Sequence, residues 1–227
     1  MKKDRSSKVI EILALIVAVV GLSMGFAAYS SSFDVVEEAH VKPGDDVFRV
    51  VFSSSKTNIQ NKKINGVATS GAKAGTAFLV DYPSLTVANL RAYFTEPGQK
   101  VTYTVYSHNR GDYDAYLTAI NYFNVAGRNS SKVCGVINPS SATRELVNNA
   151  CDDISLTVEI GDIKATDTIT NIRKHRLAMG RVEPIVITLE YSDTGNAADG
   201  EFFVEFGNVA ITYVSKYEHD HDHEHRD

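Results

Sequence analysis

Beyond residue 31 the apolar positions of this chain fall mostly at every second residue, the period of a half-buried β-strand. Val101-Thr102-Tyr103-Thr104-Val105-Tyr106 sets valines and aromatic rings on alternate sides. Val47-Phe48-Arg49-Val50-Val51-Phe52 follows the turn-forming run Pro43-Gly44-Asp45-Asp46, and Asn109-Arg110-Gly111-Asp112 leads into Ala115-Tyr116-Leu117-Thr118-Ala119-Ile120. Further strands are predicted over 154–160, 185–191, 202–206 and 209–214. They are divided by Gly161-Asp162, Asp193-Thr194-Gly195-Asn196, Asp199-Gly200 and Gly207-Asn208. Many short strands with turn signals between them predict an all-β domain over 31–215, an antiparallel β-sandwich of jelly-roll or Ig-like kind. One helix is expected over 140–149, with Ser141 as its cap and Glu145 in its first turns, set on a surface excursion. Residues 164–174 fit a loop, a short strand or a helical turn. Ser53 to Ala77, rich in Ser, Asn, Lys, Gly and Ala, reads as a long flexible loop.

The pattern changes at the N-terminus. From Val9 to Tyr29 the one charge is Glu11, and residues 12–20 are apolar on every face. A helix of that composition is at home in lipid or in a deep core. Lys2, Lys3, Arg5 and Lys8 precede it and the small residues Gly25, Ala27, Ala28, Ser30 and Ser31 follow, the order of a secretory signal. Cleavage before Ala28 or before Ser31 is open. A retained membrane anchor over 9–29 is the rival reading, and a pilin-like leader using Glu11 is the third. Each delivers the body to the extracellular space or the cell surface.

Charge refines this division. The formal net charge of −5 over 227 residues excludes the basic face of a nucleic-acid binder. The head, 1–30, is net positive, the body is mildly acidic, and the last dozen residues, 216–227, hold five acids against Lys216 and Arg226. Cys134 and Cys151 are the only cysteines. In an exported chain at this separation they predict one local disulfide closing 134–151, which stabilises by ~3 kcal/mol on the chain-entropy model.

Three segments then stand together. They are Leu85-Thr86-Val87-Ala88-Asn89-Leu90, then Glu96-Pro97-Gly98-Gln99-Lys100-Val101-Thr102-Tyr103-Thr104-Val105, then Asn109-Arg110-Gly111-Asp112-Tyr113-Asp114-Ala115. This order resembles the "PGD-x-VTYT-V-x-N-x-G-x-x-DA" stretch of secreted bacterial sandwich domains, and within them the camelysin and TasA-type matrix-fibre proteins. The leader end Gly25-Phe26-Ala27-Ala28-Tyr29-Ser30 is similar too. So is a second strand entry, Leu177-Ala178-Met179-Gly180 leading into Val186-Ile187-Thr188-Leu189-Glu190-Tyr191. The resemblance covers about a third of the chain. It implies a jelly-roll-like sandwich that polymerises by lending an N-terminal strand to the next subunit. Ser31 to Val41 is then the donor strand, with Phe33, Val35 and Val36 as its apolar positions. The "FSD" motif usual after such leaders is absent, and the disulfide loop is a departure from the pattern.

Catalytic signatures do not emerge. HExxH, GxSxG, Walker A and GxGxxG are missing. His40, His108 and His175 lack fixed-spacing partners and read as solvated or turn histidines. Asp45-Asp46 and Asp152-Asp153 read as solvated turn acids. Tyr103, Tyr106, Tyr113, Tyr116 and Tyr122 cluster, and alternation places about half of them in the core. Glu218-His219-Asp220-His221-Asp222-His223-Glu224-His225 is different: four imidazoles alternate with four carboxylates. His219, His221, His223 and His225 with Asp220 and Asp222 suit Zn²⁺ or Ni²⁺ without any fold. A solubilising tail or an affinity tag is the plainer reading of the same residues. The sequence thus predicts a non-enzymatic, exported structural protein that self-associates or adheres to surface or matrix components. It requires no cofactor and meets the membrane only through 9–29. Metal or ligand capture by the tail is the alternative.

Overall fold

Strands form where valine, isoleucine and aromatic residues recur at alternate positions, and they stop where glycine, asparagine and aspartate collect. The computed structural model describes residues 48–80, 85–137, 144–172 and 175–215. In chain order the first strands are β1 (Val50–Ser53), β2 (Lys63–Asn65), β3 (Val67–Ala68), β4 (Lys73–Ala74), β5 (Thr76–Val80), β6 (Leu85–Ala88), β7 (Leu90–Phe94) and β8 (Lys100–Asn109). There follow β9 (Ala115–Tyr122), β10 (Lys132–Val136), the helix α1 (Arg144–Asp152), β11 (Ile154–Ile160), β12 (Ile163–Ala165), β13 (Arg176–Leu177), β14 (Val182–Tyr191), β15 (Phe202–Phe206) and β16 (Val209–Ser215). The expected all-β class holds for the described residues, and every strand pairing among them is antiparallel.

One sheet runs β1-β8-β14-β11-β12, with β3 beside β1 on the same edge of β8. The other strands make two sheets, β13-β9-β16-β6-β5-β2 and β10-β15-β7-β4. These two are halves of one layer. The same four lengths of chain supply both, in the same order, and each is interrupted once: at Gly75, at Asn89, at Gly207-Asn208 and over 123–131. Pairing between the β4–β5 and β6–β7 lengths keeps one register through the break, as does pairing between the β6–β7 and β15–β16 lengths. The extra residues of 123–131 are spent in a loop beside Gly207. A Cβ on Gly207 would lie 1.8 Å from the Phe123 carbonyl oxygen, so only glycine fits there.

The core lies between the layers. Val101, Tyr103 and Val105 of β8, with Ile185, Ile187 and Leu189 of β14, face Leu90, Ala92 and Phe94 of β7 and Phe202 and Val204 of β15. Phe94, Tyr191 and Phe202 close one end as an aromatic trio with ring centroids 5.7–6.4 Å apart. The Tyr103 hydroxyl crosses between the layers and donates to the carbonyls of Gly75 and Arg91. Burial pushes the phenol up to about 12.

Two expectations are corrected. Residues 53–77 are not a featureless loop: they contain β2, β3, β4 and the start of β5. Their small side chains are what admit the packing. Gly66 lies so close to the Tyr103 ring that a Cβ would come within 2.8 Å of it. The helix also differs from a surface excursion. Its described part runs Arg144–Asp152 and buries Val147 and Ala150 in the core.

Candidate functional site

Two of the segments that carried the resemblance, 109–115 and 177–180, meet at one pole of the fold. Asn109 ends β8 and is 1% exposed. Its Nδ2 donates to the carbonyls of Tyr113 (2.8 Å) and Leu177 (3.0 Å), and its Oδ1 accepts from the Gly111 amide (3.1 Å). Its main chain is engaged as well: its N–H donates to Arg181 O, and its carbonyl accepts from the Gly180 amide. Asp114 then receives the Met179 amide on Oδ1 (3.0 Å) and the Arg176 guanidinium on Oδ2 (2.5 Å). The segments Asn109–Ala115 and Leu177–Gly180, far apart in sequence, form one interlocked corner. Asn109 is the buried bracket of two turns.

At the opposite pole the predicted disulfide is in place: Cys134 and Cys151 lie with Cα atoms 6.0 Å apart and sulfurs in bonding contact. It ties α1 to β10, an edge strand of its sheet. A helix laid over an edge removes a template for further strand pairing. Lys132 of β10 adds a polar tie, its Nζ donating to the carbonyls of Asp152 and Ile154. That supplies the cation near the helix C-terminus that α1 itself lacks. Burial holds the Lys132 ammonium below its ordinary range, against the pull of Asp152 and Asp153. Asp153 is held below the carboxylate range by hydrogen bonds from the Asn196 main-chain and side-chain amides.

The two described histidines are neither solvated nor idle, which corrects the sequence reading. His108 is 3% exposed. Its Nε2 lies 2.6 Å from Ser53 Oγ and 3.2 Å from the Ser55 carbonyl. A carbonyl only accepts, so Nε2 carries the hydrogen, while the Ser53 hydroxyl donates to Ser55 O. The serine proton therefore points away from the ring, the reverse of what an activated nucleophile needs. Burial lowers the His108 pKa, with Arg110 and Lys62 adding to the effect and the Ser55 bond opposing it. His175 is 9% exposed and lies between two carboxylates, with Nε2 2.6 Å from Glu183 Oε2 and Nδ1 3.3 Å from Asp162 Oδ1. Sequence inspection missed this group because its members sit on three separate turns and strands.

Among the described residues no helix is long and apolar enough to cross a membrane. Among them, too, no group of three His, Cys, Asp or Glu side chains is arranged to hold a metal ion. The leader, Phe33, Val35 and Val36, His40, Asp45-Asp46, and the tail with His219, Asp220, His221, Asp222, His223 and His225 lie outside the described residues. Of the tyrosines, Tyr103 is fully buried, Tyr106, Tyr116 and Tyr122 are half-buried, and Tyr113 is exposed. Compared with family models, curated proteins and solved structures, the chain matches none.

Proposed function

We propose that this is an exported structural protein of a bacterial cell surface or extracellular matrix, acting by self-assembly or adhesion. The observation that carries the reading is the use of five of the seven buried polar side chains among the described residues. Ser53, Gln99, His108, Asn109 and His175 each hold main chain or a neighbouring side chain in place. Such a scaffold is rigid, and rigidity serves a building element. The disulfide fits an oxidising compartment outside the cytoplasm. The jelly-roll or Ig-like sandwich enters as the scaffold, supported by the chain's repeated passage between its two layers.

Assembly by strand exchange needs a sheet edge that accepts a strand. α1 is tied to β10, β12 pairs along the side of β11, and β13 with the Ile120–Ile169 bridge lies along the side of β9. A strand from residues 31–41, with Phe33, Val35 and Val36 as its apolar face, would add at the flank of β1 and β2. Electron microscopy of the exported protein tests this: ordered filaments that vanish when Val35 and Val36 become Asp support it, and a strict monomer overturns it. The alternating His and acid residues of the tail support the second reading, capture of Zn²⁺ or Ni²⁺. Monomeric protein that retains Zn²⁺ through gel filtration, and loses it on truncation after Tyr217, would favour that one.

A further inference from the structure

We infer that the pole built around Asn109 is a docking surface for anionic phospholipid, separate from any membrane contact made by residues 9–29. Three strand ends meet there in register. Arg49 sits at the entry to β1, with its carbonyl accepting the Arg110 and Gly111 amides, and the Arg181 carbonyl receives the Asn109 amide. Arg49, Arg110 and Arg181 are all exposed, and no carboxylate among the described residues is paired with any of them. The fourth arginine, Arg176, is neutralised by Asp114, and Asp112 is the remaining acid of these turns.

Two large apolar side chains stand beside the cations. Tyr113 is 45% exposed and Met179 is 58% exposed, each on a turn that Asn109 or Asp114 braces. Guanidinium groups around an amphipathic ring and a flexible thioether match a phosphate-rich interface with acyl chains beneath it. The first described residues, Phe48-Arg49, lie at this pole. The last described residue, Ser215, lies here too, paired with Ala115. The acidic tail is thus a rival occupant on charge alone, but it offers nothing for Tyr113 and Met179 to contact.

The test uses the full chain and its cosedimentation with two kinds of vesicle. One is phosphatidylcholine alone, and the other contains about a third phosphatidylglycerol. Changing Arg49, Arg110 and Arg181 together to Ala is expected to lower binding to the anionic vesicles at least about ten-fold. A control with the same loss of charge elsewhere, Lys56→Ala with Lys63→Ala and Arg128→Ala, should stay within about two-fold. Tyr113→Ser with Met179→Ser should weaken binding about three-fold on both vesicle types. Amides of 110–114 and 178–181 should exchange more slowly on anionic vesicles, a readout independent of variant stability. Equal losses in the pole and control variants would overturn the inference, because net charge alone would then explain binding. So would binding that appears only after truncation at Ser215, which would make the tail the occupant. Loss of self-association without any lipid effect would assign the pole to a second copy and overturn it as well.

Discussion

The two flanks of the fold are each secured by one buried histidine, and the two are secured by opposite chemistry. On the flank of β1 and β2, His108 meets a hydroxyl and a carbonyl, and Arg110 and Lys62 are its charged neighbours. On the other flank, β12 pairs in one layer and β13 in the other, and His175 joins Asp162 to Glu183 of β14. The first ring is a neutral donor in a dry site. The second lies between carboxylates, one of them fully in reach of water: the Asp162 side chain is 82% exposed. A histidine acquires its role from what the fold brings to its two nitrogens, and nothing in the local sequence of either residue announces which role that is.

The comparison yields a ranked set of expectations. Asn109→Ala removes the bracket at the pole where both flanks end and leaves several buried main-chain groups without partners. A loss of about 3–4 kcal/mol is expected in urea unfolding. The disulfide secures α1 without a histidine, and Cys134→Ala with Cys151→Ala should cost about 3 kcal/mol. An unchanged midpoint would mean that Lys132 and the burial of Val147 and Ala150 suffice. His108→Ala should cost about 2 kcal/mol at neutral pH, since Ser53 and the Ser55 carbonyl are desolvated.

The same residue makes a pH prediction. Its native pKa is lowered, so the unfolded chain binds the proton more readily. The stability it contributes is intact above about pH 6.5 and is lost as the pH falls from there towards the native value. His108→Ala should remove that part of the acid slope in denaturation curves measured across pH. The smallest effect is expected for His175→Gln, about 1 kcal/mol, because solvent reaches its carboxylate partners and discounts the pairing. If it proved as costly as His108→Ala, the contrast between a dry and a wetted flank would fail.

Much of the strand plan was legible in the chain. Ile154–Ile160 and Phe202–Phe206 are strands with the bounds that alternation predicts, and the Cys134–Cys151 pairing was legible from a single cysteine pair at short separation in a chain read as exported. The misses share a cause. β2, β3 and β4 were hidden because short strands among small polar residues carry too few apolar positions to show a period, and tertiary pairing stabilises them instead. β8 runs on to Asn109 because its last residues pair with β1 and β14, contacts that the turn-like sequence there does not advertise.

What the amino-acid sequence determined by itself was local: the period-2 strands, the glycine and asparagine breaks, the apolar head, the ligand-rich tail and the cysteine pair. Each follows from interactions within a few residues or from side-chain chemistry that needs no fold. Only the tertiary structure decided that four interrupted strand lengths build both halves of one layer, and that Asn109 braces two distant turns. It alone decided that Arg49, Arg110 and Arg181 share a pole and that one histidine is a dry donor while the other bridges carboxylates. These are contacts between residues widely separated in the chain. Their geometry is set by register and layer packing, and no window of sequence contains it.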